Sequence, residues 1–86
     1  MIDHQARVRR ALAALVDEGR EFLPDDVHAR VPRSTRAWLD ARPSHLGAVM
    51  KHQHEAGVIE HVGWADSPRR PGYSSRVWRP VDTGGG

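Results

Sequence analysis

Apolar side chains recur at helical spacing in the first two thirds of this chain and alternate at strand spacing near its end. Val8, Leu12, Leu15 and Val16 fall at i, i+4, i+7 and i+8, one buried face of a first helix over residues 4–17. Asp3 is placed to cap it, Ala11 and Ala14 allow close packing beside the face, and Gly19 is placed to stop it. Phe22 and Leu23 follow. Pro24 opens a second helix, because the missing proline N–H is unpaired in a first turn anyway, and Asp25 and Asp26 suit the positive end of the helix dipole. Val27 and Val31 face the core at i, i+4, and Pro32 ends this helix at Val31.

Residues 32–43, PRSTRAWLDARP, read as a long connection that holds one helical turn around Ala37, Trp38 and Leu39, starting at Ser34 or Thr35. Which of Trp38 and Leu39 is buried stays open. Ser44 is placed to cap a third helix over residues 45–56, with Leu46, Val49, Met50 and Gln53 on one face. Gly47 within it costs up to about 1 kcal/mol relative to Ala, which a close backbone contact would explain. Gly57 is placed to terminate it in the left-handed conformation. Residues 58–64 predict a strand, residues 66–72 a turn, and residues 73–79 a return strand. The expected cross-strand pairs are Val62 with Val77, or Trp64 with Trp78, and Trp78 is expected to close the core. The expected organisation is α+β: one domain over residues 1–81, with three helices, a short strand and a C-terminal two-stranded ribbon, and a flexible tail over residues 82–86.

Composition narrows the chemistry. The 86 residues suffice for one economical core. The chain has no cysteine, hence no disulfide, thiolate ligand or cysteine nucleophile, which fits a cytoplasmic setting. No apolar run approaches the roughly 20 residues of a membrane span, and residues 1–5 lack a signal-peptide layout. Net charge is only +2, but it is unevenly placed. Residues 1–31 hold five Arg and six acids, a net of −1, while residues 32–79 hold seven Arg and one Lys against four acids, a net of +4. Twelve of the 13 basic residues are Arg, a side chain suited to phosphates and base edges, although a GC-rich genome accounts for most of that excess.

The segment EAGVIEHVGW, residues 55–64, resembles the join between the third helix and the wing in the winged helix-turn-helix family, and the resemblance implies a very short strand at Phe22 and Leu23 that pairs with the wing. Across residues 7–81 the chain is also similar to a group of small helix-turn-helix proteins of actinobacterial phages and prophages, through the blocks AALVDEGREFLPDDVHARVP, PSHLGAVMKHQHEAGVIEHVGW and SPRRPGYSSRVWRP. The resemblance implies double-stranded DNA as partner and a role in phage regulation, including transcription regulation. Two features depart from the pattern: Pro24 stands where Ser or Thr is usual, and residues 32–43 exceed a tight helix-turn-helix turn.

On that reading the third helix turns Ser44, His45, Ala48, Lys51 and His52 outward toward a groove, with Glu55 beside them. Arg69 and Arg70, stiffened by Pro68 and Pro71, tip the ribbon, and Arg76 and Arg79 extend the basic strip unless Glu60 or Asp66 pairs with either. The competing reading of the helix is a solvated face, and of the tip a charged turn that keeps a sheet edge soluble. The six histidines make no metal site: His45 and His52 share a face but lie ~10 Å apart along the axis, and no pair has the i, i+4 spacing of a helical zinc site. Ser44 and His45 are adjacent, which is not a catalytic dyad. The chain is therefore expected to be a non-enzyme without cofactor or metal, a monomer or homodimer that binds DNA. The alternative is a protein-docking module for host transcription or replication machinery, with Trp38 and Trp64 as candidate anchors.

Overall fold

The structure is a computed structural model, and it describes residues 2–68 and 70–81, Arg70 through its backbone only. Its order is α1 (His4–Glu18), α2 (Pro24–Arg30), α3 (Arg33–Asp40), α4 (His45–Glu55), β1 (Ile59–Ser67) and β2 (Arg70–Pro80). The chain is thus α+β, with four helices and a C-terminal antiparallel hairpin, not three helices. The expected tail at residues 82–86 lies outside the described residues.

Helix α1 has the predicted cap and stop. The Asp3 carboxylate accepts from the Ala6 N–H at 2.9 Å, and Gly19 takes φ +71°. At α2 the cap position is held by Leu23, not by Pro24, which is the first helical residue; Leu23 has no side-chain acceptor, and Asp26 reaches back to accept from its N–H at 2.7 Å. Helix α3 replaces the expected single turn. It begins directly after Pro32, whose carbonyl accepts from the Thr35 and Arg36 N–H groups. Its buried face is Thr35 and Leu39. Thr35 is fully buried, and its hydroxyl is satisfied by His4 Nδ1 at 3.0 Å and Arg7 Nη1 at 3.4 Å. A threonine in the role of a core residue left α3 without an apolar pattern to read.

The core draws on every element: Val8, Leu12 and Leu15 from α1, Val27 from α2, Leu39 from α3, Leu46 and Met50 from α4, Ile59 from β1 and Trp78 from β2, joined by Phe22 and Val31. Phe22 forms the short strand as an isolated bridge to Trp78, with both backbone hydrogen bonds at 2.8 Å. Trp78 closes the core at 3% exposure, as expected.

The hairpin register differs from both expected pairings. His61 faces Trp78, Gly63 faces Val77, and Trp64 faces Arg76, because the ladder shifts at Val62. That extra residue is a β-bulge, and it changes which side of the ribbon is covered. Before it, Ile59 and Trp78 pack into the core. Beyond it, Gly63, Ala65, Ser67, Ser75 and Val77 are covered or half-covered, while Trp64, Asp66, Ser74 and Arg76 face solvent. No helix among the described residues is long and apolar enough to cross a membrane.

Candidate nucleic-acid interface

Helix α4 and the hairpin are joined by a tight stop. Ala56 closes the helix, Gly57 takes φ +78°, the Gly57 N–H donates to His54 O, and the Val58 N–H donates to Gln53 O, both at 3.0 Å. This pair of bonds is a Schellman motif, which satisfies two otherwise orphaned carbonyls and fixes the exit direction of the chain. His54 adds a side-chain tie: its Nδ1 lies 3.1 Å from Ile59 O, and its ring packs 5.5 Å from that of Trp78.

The start of α4 is not built as expected. Ser44 already has right-handed helical angles and makes no side-chain cap. The entry is instead a turn in which the His45 N–H donates to Arg42 O at 2.9 Å. Gly47 is exposed, and a Cβ there would meet nothing within 4 Å, so no close backbone approach explains it.

Of the residues expected to face outward on α4, Ser44, Ala48, Lys51 and His52 are exposed, as is Glu55. His45 is half-buried. Its ring meets Trp38 edge-on at 4.7 Å, and Trp38 is itself held between His4, stacked at 5.4 Å, and the Arg42 guanidinium, 4.4 Å from the ring centroid. Trp38 is therefore a packed joint between α1, α3 and α4, and Leu39 is its fully buried neighbour. Trp64, in contrast, is 61% exposed.

Among the basic residues, Arg79 pairs with Glu60 through two nitrogens, one bond being Nε to Oε1 at 2.8 Å. Arg76 stays exposed, with its guanidinium 5.5 Å from the Trp64 ring centroid. Arg30 and Arg20 both bond Glu18, and hydrogen bonds from Arg30 first and Arg20 second hold that carboxyl below the usual carboxylate range. Arg69, and the side chain of Arg70, lie outside the described residues.

The base of the hairpin tip is anchored on α2. Ser67 Oγ donates to Asp25 Oδ2 at 2.8 Å, both residues being buried. Beside this bond a cleft of about 410 Å³ opens between the helices and the hairpin, lined by Leu39, Leu46, Gly47, Ser67, Tyr73 and Ser75 among others. Asp25 therefore does more than start a helix, a role that its position in the sequence does not signal. His61 was likewise unmarked in the sequence: its Nε2 lies 2.8 Å from Gly63 O, and its ring bridges Trp78 and Trp64. Gly63 within a strand was the available hint, since an isolated strand glycine often marks a bulge. Among the described residues no group of three or more His, Asp or Glu side chains is placed to hold a metal ion. In comparisons with protein families, curated proteins and solved structures, the chain matches none.

Proposed function

We propose that this chain is a winged-helix domain that binds double-stranded DNA, with α4 meeting the groove and the β1–β2 hairpin serving as the wing. The observation that carries the reading is the coupling of α4 to the hairpin. A short helix with Ala48, Lys51 and His52 exposed runs through the Gly57 stop into a long ribbon. The Phe22–Trp78 bridge adds the third short strand expected of that fold. Lys51 would neutralise phosphate, and His52 and Ser44 would donate to or accept from base edges. Arg69 and Arg70 remain the proposed backbone or minor-groove contacts of the wing. A role as a phage or prophage regulator or accessory factor rests on the sequence resemblance alone. One module of this size offers little area for sequence-selective binding, which favours two copies on one site.

A mobility-shift titration across salt tests the proposal. Affinity should fall steeply and log-linearly with salt as several phosphates are neutralised. The second reading is a protein-docking module. It is favoured by the pairing of Arg79 with Glu60 and of Arg30 with Glu18, which takes two guanidiniums away from phosphate. The absence of a shift at low salt, with a host protein recovered by pull-down, would replace the first reading with the second.

A further inference from the structure

The solvent side of the ribbon beyond the Val62 bulge carries an unusual group. Trp64 and Arg76 face each other across the strands, with Asp66 and Ser74 as the next pair toward the tip. All four are exposed. The Trp64 ring is held rather than loose. The His61 ring meets it edge-on at 5.2 Å and 85°, His61 is fixed by its contact with Gly63 O, and it also touches the buried Trp78. The Arg76 guanidinium lies 5.5 Å from the same indole. An indole positioned this way, and still 61% exposed, offers broad aromatic surface at little ordering cost.

We propose that Trp64, with Arg76 and His61, is a stacking platform for an unpaired nucleobase, so that the preferred ligand is DNA with a single-stranded flank. This rests on the DNA reading of α4 and adds a substrate class to it. Every base has a π face, so stacking on Trp64 is tolerant of sequence. Arg76 can keep its plane near the indole and donate N–H bonds to the adjoining phosphate. Asp66 repels phosphate, which places the strand backbone on the Arg76 side and leaves the carboxylate to accept from base amino groups. The neighbours of Trp64 disfavour a protein partner. Interface anchors sit in an apolar centre with a polar rim, whereas Asp66, Ser74 and Arg76 surround Trp64 with polar groups on this side of the ribbon.

The test compares a blunt duplex, the same duplex with a short oligothymidine tail, and the tail alone, reading affinity and tryptophan fluorescence on the full chain. The tail should tighten duplex binding by about 5- to 150-fold, the worth of one base–aromatic stack, and quench fluorescence. Trp64→Ala should abolish both effects while leaving blunt-duplex affinity unchanged, and Trp64→Phe should keep most of the gain. Trp64 lies outside the core, so these variants should fold, which circular dichroism checks. Blunt-duplex binding with no gain from the tail overturns the platform and upholds the duplex reading. Trp64-dependent quenching by the tail, without blunt-duplex binding, upholds the platform and overturns the duplex reading. Absence of quenching by any of the three ligands overturns the platform.

Discussion

Ser67 donates a buried hydrogen bond to Asp25 across 2.8 Å, tying the far end of β1 to the first turn of α2. A long two-stranded ribbon is marginal by itself in water. This bond holds its outer half against the helices. Ser67→Ala should therefore cost about 1–3 kcal/mol, because it strips a donor from a buried carboxylate. The urea midpoint should drop with the m-value unchanged. A midpoint equal to that of the parent protein would show that the remaining surroundings of Asp25 suffice.

The glycine within α4 and the glycine that stops it should respond in opposite directions. Gly57 sits at φ +78°, where a Cβ is strained, so Gly57→Ala should destabilise by about 1–2 kcal/mol. Gly47 is in a helix and a Cβ there meets nothing, so Gly47→Ala should stabilise by up to about 1 kcal/mol. Thermal melts of the two variants check the pair. Losses of similar size in both would mean that Gly47 serves a packing role the structure does not display.

Acid should loosen the α1–α2 joint. Arg30 and Arg20 lower the pKa of Glu18 in the folded protein below its ordinary value of 4.5. A depressed carboxyl contributes stability above its unfolded pKa and loses it as pH falls through the folded one. Stability should thus decline below about pH 4.5, and Arg30→Gln should flatten that decline. Because the pair is exposed, the effect should be small and should shrink in high salt. Denaturation midpoints taken across acidic pH at low and high salt measure it.

On the DNA reading proposed above, Lys51, Arg69 and Arg70 position the duplex and His52 selects its sequence. Lys51→Ala should lower the salt slope by about 1, and Arg69→Ala with Arg70→Ala should weaken binding to all sequences alike. His52→Ala should change sequence preference instead. Binding titrations on a panel of duplexes check the division, and equal, sequence-independent losses from all these variants would refute it.

The elements that were legible in the sequence are those whose signals are local. Asp3 and Gly19 bounded α1, Pro24 opened α2, and Gly57 ended α4, because a cap, a ring and a missing Cβ each act on the adjacent turn. Helix α3 was legible only in part, since half its buried face is Thr35, whose hydroxyl is satisfied by α1. The hairpin register was misread because one extra residue at Val62 shifts every later pair. The outward placement of Ala48, Lys51 and His52 followed from helical periodicity. The half-burial of His45 did not, because Trp38 from a different helix covers it. Trp64 and Trp38 were both marked as candidate anchors, and the structure separates them: Trp38 is packed between helices and Trp64 is exposed beyond the bulge.

The Phe22–Trp78 bridge has a consequence for how the chain reaches this state. It joins two residues far apart in the sequence, and the indole that seals the interior follows every other residue of the core in chain order. During translation Phe22 lacks its bridge partner, and the core its last member, until that tryptophan leaves the ribosome. Folding should therefore be late and all-or-none. A chain truncated before Trp78 should be found as an aggregation-prone fragment rather than as a smaller working domain.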